Sequence, residues 1–475
     1  VLTLRCLAIL LLCWISTASA REALQLPPVV QRTLEDYRIP ASGVSVYIED
    51  ARTQEVVLSY NAEVPRSPAS TIKALTTFIA LDELGPAYTW TTRAYARGPI
   101  KHGVLTGDLY LVGGGDPYMT AERWWTFVQQ LRQAGLRDID GDIVIDRSYF
   151  ETVGDDRAAF DSQPFKSYNV LPDALMVNFQ TSRFTVSGDA QGSRANIALD
   201  PLPANFQITD LVRLANTGCR RANQGLKFDT PEGPSGNSVV VRGTIPSGCG
   251  RFAVARAIMT APEFAYGTFR TFWEQSGGTV SGKLRLSTLP DDAKLVYAHE
   301  SLTMGEIIRL VNKYSNNVMA RTLMLTLGAE KFEPPATVEK GRRAINAWLA
   351  AHRIEMPGFV IDNGSGLSRD ERVTAKGLGE VLRVAYHSQF MPEFAASLPL
   401  SATDGTLRNR FQAQGMQGRI RMKTGHMDDV SSLAGFVNAA SGNVYIVVII
   451  INHPGAQFGV GDDIQAAALR WAFGQ

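Results

Sequence analysis

Arg66-Ser67-Pro68-Ala69-Ser70-Thr71-Ile72-Lys73 is the first informative stretch of this chain. Ser70 and Lys73 stand three residues apart at the expected start of a helix. Pro68 halts the preceding structure, Ser70 is expected to cap the first turn, and Ile72, Leu75, Ile79 and Leu84 recur at near-helical spacing. Gly85-Pro86 then ends the helix, a C-terminal glycine followed by a residue that cannot continue it. Residues i and i+3 share a helix face, so the Lys73 amine is expected beside the Ser70 hydroxyl. A serine hydroxyl is a weak nucleophile at neutral pH, and an unprotonated lysine one turn away can take its proton. Alone the motif decides little, because roughly one S-x-x-K arises by chance in a chain of this length.

Composition narrows the field. The 475 residues are 45% hydrophobic and 20% charged, ordinary for a globular protein of two or three domains. Lys plus Arg number 47 and Asp plus Glu 46, so no charge excess points to nucleic acid or to a polybasic membrane contact. Residues 1–20 differ from the rest. Arg5 is their only charge, Leu7 to Ile15 is apolar throughout, and Ser16-Thr17-Ala18-Ser19-Ala20 ends in small residues. That is the pattern of a cleaved secretory signal, with an apolar run too short to span a bilayer. No later segment has the length of a membrane anchor. Of the four cysteines, Cys6 and Cys13 fall in the signal. Cys219 and Cys249 form an even pair in an exported chain and are read as a disulfide, the alternative being two free buried thiols. Two cysteines and 6 histidines supply no metal-ligating cluster, and no cofactor is called for.

The texture changes twice along the chain. Residues 43–61 read as a hairpin leading into the Ser70 helix. From about Thr89 to Leu295, short β-rich runs alternate with Gly, Pro, Asp and Asn. The tight turn Gly113-Gly114-Gly115-Asp116-Pro117 lies among them, and no G-x-x-x-x-G-K follows to make a P-loop. Helical periodicity returns at Leu302–Val311, Val318–Leu327, Arg342–Ala351 and Ala375–His387. Strands follow at Arg419–Thr424, Ser432–Val437 and Val444–Ile451, the last apolar enough to be buried on both faces. Asp463–Phe473 reads as a closing helix. The organisation expected is a signal at 1–20, one catalytic domain formed by 21–88 and 292–475, and β-rich inserted domains at 89–291.

Two further motifs complete a constellation. Lys423-Thr424-Gly425 is the only K-T-G in the chain and lies on an expected strand. Ser315-Asn316-Asn317 is an S-x-N between two expected helices. Other copies occur, among them those starting at Ser167, Ser235 and Ser441, but only the Ser315 copy lies between helices, after the insertion and before the K-T-G. The order S-x-x-K, S-x-N, K-T-G resembles that of serine penicillin-binding proteins. The chain is most similar to their class C low-molecular-mass members, the D-alanyl-D-alanine carboxypeptidases/endopeptidases of peptidase family S13. Roughly 245 residues separate Ser70 from Ser315, far more than a compact two-lobed core needs, and this family carries large domains there. Asp362 to Arg369 and Leu398 to Phe411, with Asp404-Gly405-Thr406-Leu407, match the family as well.

The resemblance implies an α/β (α+β) fold, a β-lactamase/transpeptidase-like domain whose antiparallel sheet is flanked by helices and interrupted by the insertion. It implies peptidoglycan stem peptides as substrate, β-lactams as covalent inhibitors and an exported, periplasmic enzyme. Ser70 would attack the carbonyl between two D-alanines and Lys73 would accept its proton. That requires a lysine pKa well below about 10.4, through burial and the like charge of Lys423. Ser315 would relay a proton to the leaving amine, and Asn317 would orient Lys73 and the substrate amide. Lys423, Thr424 and Gly425 would face the terminal carboxylate, and the N–H groups of Ser70 and His426 would form the oxyanion hole. The His426 side chain departs from the small or hydroxyl residues usual there, either narrowing substrate choice or simply lining the rim. Arg369 is implied as a substrate side-chain contact, the alternative being a surface loop arginine, and Asp428 flanks the same strand with its role open. Two other readings share these residues. A β-lactamase needs fast deacylation, and no E-x-x-L-N stretch is present to position water. A penicillin-sensing or peptidoglycan-binding protein without turnover would not need all three motifs intact.

The cysteine reading is directly checkable. A Cys219–Cys249 bond closing a loop of about 30 residues is expected to stabilise the fold by roughly 3–4 kcal/mol on a chain-entropy basis. Mass analysis after alkylation of unreduced protein is expected to find neither thiol modified; two alkylated cysteines would refute the bond.

Overall fold

The computed structural model describes residues 25–475 apart from 152–155, 189–194, 216–218, 220–224, 232–235, 249 and 413–414. The expected signal at 1–20 lies outside the described residues. So does Cys249, and with it the expected cysteine pairing.

Both ends of the chain build one antiparallel sheet. Its strands run in the order Ile420–Met427, Val430–Asn438, Val444–Asn452, Val44–Asp50, Val56–Tyr60. The early hairpin joins the late strands through Val44–Asp50, which pairs from Val44 opposite Ile451 to Asp50 opposite Tyr445. Strand residues alternate between faces, and this explains the nearly unbroken apolar run. Ile446, Val448 and Ile450 pack on one face against the Ser70 helix and its neighbours. Val447, Ile449 and Ile451 pack on the other, against the terminal helix Val460–Phe473. The helix Pro28–Asp36, which had no counterpart in the sequence reading, covers that second face too.

The Ser70 helix is the centre of the first layer. It spans Ile72–Leu84 and is buried from Ile72 to Leu81, on every face. Its end is as expected, with Gly85 at φ +79° and the Gly85 N–H donating to Leu81 O. Its start is not. Ala69–Thr71 forms a single 3₁₀ turn before the helix, and Ser70 makes no capping hydrogen bond. The hydroxyl is engaged by Lys73 instead, so Ser70 is a presented group rather than a cap. Around this helix pack Met304–Tyr314, Asn317–Phe332, Val338–Ala351 and Ala375–His387; the first begins two residues after its expected start at Leu302 and runs past its expected end, and the other three reach or exceed their expected bounds.

The segment between carries more helix than its composition implied. A five-stranded sheet runs Leu284–Leu286, Ile143–Asp146, Asp108–Val112, Thr91–Arg97, Lys294–Glu300, and helices Ala121–Gln133 and Ala261–Gln275 share a core with it. Two three-stranded sheets, drawn from residues 182–256, enclose a separate apolar cluster around Phe184 and Val241. Lys294–Glu300 pairs antiparallel with Thr91–Arg97, so the sheet of this segment extends past residue 292.

Phe78 is fully buried in the Ser70 helix, with edge-on ring contacts to Trp348 at 5.7 Å and Phe394 at 5.2 Å. Phe78→Ala is expected to cost about 3–5 kcal/mol, the range for emptying a core aromatic site. Denaturant unfolding checks this; a loss below about 1 kcal/mol would mean that the site collapses around the void.

Candidate functional site

The approach to Ser70 is held rigidly. Arg66 Nε donates to Ser45 Oγ at 2.6 Å, and its Nη2 donates to the carbonyls of Ser42 and Val44. Asn452 grips Ser67 from both sides, taking its N–H at 2.8 Å and donating to its carbonyl at 3.0 Å. Pro68 O accepts from Thr71 Oγ1 and Ser432 Oγ, both at 2.6 Å. Ala69 between these fixed points takes φ +45°, a left-handed conformation that a non-glycine residue holds only where its surroundings over-determine it.

Two lysines with no exposed surface meet at this turn. Lys73 Nζ lies 2.9 Å from Ser70 Oγ and 2.7 Å from Asn317 Oδ1, and it also donates to Ser365 O. Burial, followed by the charge of Lys423, pushes the Lys73 pKa well below the usual lysine value, with Arg321 adding to the fall and Glu371 opposing it. Lys423 Nζ donates to Ser315 Oγ at 2.9 Å and to Thr424 O at 2.7 Å, and burial lowers its pKa to about 7.

The Ser315-Asn316-Asn317 junction explains how a helix pair delivers two side chains to one place. Ser315 ends helix Met304–Tyr314 in the left-handed conformation, φ 55° and ψ 41°. Asn316 then caps the next helix, its side chain accepting from the Met319 N–H. The sharp reversal leaves Ser315 on Lys423 and Asn317 on Lys73. Asn317 Nδ2 also donates to Tyr168 O, at 3.2 Å, from the inserted segment.

Strand Ile420–Met427 forms the sheet edge beside Ser70. A Cβ on Gly425 would stand 2.6 Å from Pro68 O and 2.9 Å from Ser70 N, so only glycine lets the strand press against this turn. Leu400 bridges to Arg421, and the Met422 N–H donates to Pro399 O, covering the near half of the edge. By the same parity the backbone groups of Thr424 and His426 point outward from the sheet. The His426 side chain is exposed.

The structure brings Ser70, Lys73 and Asn317 together, and Lys423 with Ser315 and Thr424. Arg369 stands apart from both sets. Its guanidinium lies 4.7 Å over the Phe160 ring and 3.8 Å from each of Asp428 and Asp429, at the side of a cleft of about 700 Å³. Asp428 is largely exposed. Sequence reasoning missed three contributors, namely the Ser365 carbonyl, Thr406 and Glu371. Thr406 Oγ1 sits 2.8 Å from Thr424 Oγ1, and an ion pair 2.7 Å long between the buried Lys313 and the half-buried Asp404 holds the start of its turn. Ser365 and Thr406 lie in stretches already quoted as similar to the family, but nothing in their residue types marks a backbone carbonyl or one threonine as functional.

Comparison with known proteins gives a consistent result. The model of the D-Ala-D-Ala carboxypeptidase 3 (S13) family matches residues 28–473. A D-alanyl-D-alanine carboxypeptidase of Actinomadura sp. (strain R39) is 29% identical over 96% of this chain and 87% of its own. The D-alanyl-D-alanine carboxypeptidase DacB of Haemophilus influenzae is 24% identical over 86% and 85%. The crystal structure of penicillin binding protein 4 (dacB) from Haemophilus influenzae superposes with a TM-score of 0.79 at 22% identity, covering 94% of this chain and 99% of that one. The same protein complexed with a novel β-lactam superposes at 0.76, with 22% identity and coverage of 93% and 98%. The β-lactamase/transpeptidase-like α/β fold expected from the motifs is therefore the fold of this chain.

The depressed Lys423 pKa has a stability consequence. In the unfolded chain this lysine stays protonated up to about 10.5, and in the folded one only up to about 7. Between those values the unfolded chain holds one more proton, so stability gains with rising pH through that window. Lys423→Met removes this contribution. Its melting temperature relative to the parent is expected to be highest near pH 7 and to fall steadily towards pH 10. Parallel melting curves across that range would show that Lys423 titrates normally.

Proposed function

This chain belongs to the D-Ala-D-Ala carboxypeptidase 3 (S13) family, and we propose that it hydrolyses the bond between two D-alanines of peptidoglycan stem peptides through a serine acyl-enzyme. The observation that carries this is the 2.9 Å approach of a buried, pKa-depressed Lys73 amine to Ser70 Oγ. As an amine, Lys73 has two hydrogens for Asn317 Oδ1 and Ser365 O and a lone pair for the serine hydroxyl. Ser70 Oγ bonds to the carbonyl carbon as its proton passes to Lys73 Nζ. The oxyanion that forms faces the N–H groups of Ser70 and His426, each such donor worth roughly 3 kcal/mol in the transition state. The C–N bond then breaks, and the leaving amine takes its proton through Ser315, next to Lys423. Water finally cleaves the acyl ester. A cross-bridge amide, in which a D-alanyl carbonyl is joined to the amine of a neighbouring stem peptide, is open to the same steps, because its leaving group is an amine too.

Lys423, Thr424 and Gly425 receive the terminal carboxylate on this reading. A bound carboxylate favours the charged form of Lys423. That charge in turn keeps Lys73 neutral, so substrate binding prepares the base. The His426 side chain and Arg369 line the approach rather than the reacting atoms. The enzyme is exported and acts in the periplasm, with residues 1–20 as its signal and Cys219 bonded to Cys249. Among the described residues no helix is long and apolar enough to cross a membrane. Residues 21–88 and those after about 300 make the catalytic unit. The insertion begins near 89, ends past the expected 291, and governs substrate access.

Benzylpenicillin is expected to label the protein covalently at Ser70. Its leaving nitrogen stays tethered to the acyl group and obstructs water, so acylation is fast and hydrolysis slow. Intact mass and peptide mapping read the adduct. Ser70→Ala is expected to abolish labelling with the fold unchanged, because Ser70 makes no capping bond. Label elsewhere, no label, or rapid multiple turnover of penicillin would each overturn the assignment.

A further inference from the structure

Glu371 is fully buried, and nothing in the mechanism above uses it. Its Oε1 accepts the N–H of Asn363 at 3.1 Å and of Gly364 at 2.9 Å. Its Oε2 is buried with no hydrogen-bond partner among the described residues. Burying a carboxylate oxygen without a partner costs stability, so a group kept in this state calls for a compensating role.

The turn that Glu371 holds leads straight to the catalytic lysine. Asn363 Oδ1 accepts from Ser365 N–H and Ser365 Oγ, and Thr76 Oγ1 from the Ser70 helix donates to Gly364 O at 2.8 Å. Ser365 O then accepts from Lys73 Nζ. Gly366, at φ +81°, follows where a Cβ would stand 2.0 Å from Ala69 O, so the loop is wedged against the nucleophile turn. We propose that Glu371 is a positioning residue for acylation. Through the Asn363–Gly364 turn it aims the Ser365 carbonyl at Lys73 Nζ and so fixes the direction of the amine lone pair, while its carboxyl group is the acidic group that bears on that amine among the described residues. This rests on the serine–lysine reading above.

The charged groups around the pair are defined. Lys73 feels Lys423 from the edge strand, Arg321 from the helix Asn317–Phe332, and Glu371. Burial raises the Glu371 pKa above the usual carboxylate value and Asp362 from its own loop adds to the rise, while the Asn363 and Gly364 N–H groups and Lys73 favour the carboxylate. A carboxylate here favours the ammonium form of Lys73 and so opposes the other two cations. Removing it at constant shape must make the lysine easier to deprotonate.

Two substitutions separate the parts. Glu371→Gln keeps an oxygen for both N–H groups and deletes the charge. The acid limb of its pH profile for benzylpenicillin acylation is expected to move to lower pH by at least about half a unit. Glu371→Ala deletes the anchor, and its acylation is expected to slow on the order of tenfold to a hundredfold, as for a misaligned catalytic group. A purely structural role would lower the melting temperature of both and leave the acid limb of the Gln variant in place. An unmoved limb in folded Glu371→Gln overturns the proposal, and so does parent-rate acylation by folded Glu371→Ala. Should the Ala variant not fold, the Gln profile decides alone. The unsubstituted protein is the control for the underlying reading. If it is not labelled, that reading falls, whereas a labelled parent with unaltered variants removes only Glu371.

Discussion

Two lysine amines share a dry site, and this constraint governs the rest of the structure. Neither Lys73 nor Lys423 is exposed, and neither forms an ion pair among the described residues. Two ammonium groups in that setting repel each other and lose their hydration. The fold answers with neutral dipoles. Ser70, Asn317 and Ser365 surround one amine, and Ser315 and the Thr424 carbonyl meet the other. Each of these partners tolerates a lysine in either protonation state. The proton transfer proposed at Ser70 would then need no rearrangement of the lysine, only a hydrogen exchanged along a contact already made.

Such a site demands a stiff support, because its energy depends on short, directed contacts. That support comes from segments distant in sequence. Ser67 is held by Asn452 near the end of the chain, and Pro68 by Ser432 on the strand Val430–Asn438. Asn312, in the helix before Ser315, donates to Thr77 of the Ser70 helix and to Ser397. The groups gathered around Ser70 therefore report on the closure of the whole sheet, and a local strain such as that at Ala69 is sustained by contacts made on both sides of it.

Much of this was legible in the sequence because it lives in periodicity and residue type. The sheet strands, the helices around Ser70 and the order of the three motifs are all patterns of side chains. The mistaken cap at Ser70 shows the limit. Serine at a helix start is a cap by propensity, and only the neighbouring lysine redirects its hydroxyl. The helices Ala121–Gln133 and Ala261–Gln275 were hidden among turn-rich runs. The Ser365 carbonyl is a backbone atom common to all residues, and Glu371 is a glutamate in a polar loop until the fold buries it. Arg369 was singled out as a substrate side-chain contact by resemblance alone, and the partners the fold gives it, Phe160 and the pair Asp428 and Asp429, depend on tertiary placement.

The edge strand Ile420–Met427 has one more implication, for how the molecule behaves among its own copies. An open sheet edge with unpaired N–H and C=O groups is a template on which chains zip together and aggregate. Here the Leu400 segment already occupies the edge through Met422. What stays open runs from Thr424 to Met427, roughly 13 Å at about 3.3 Å per residue. It is crossed by the exposed His426 and flanked by Asp428 and Asp429. A short extended peptide finds a full set of bonds there, while another folded copy finds too few to hold. The length of the opening thus limits edge-to-edge pairing at this strand without closing the edge to a small ligand.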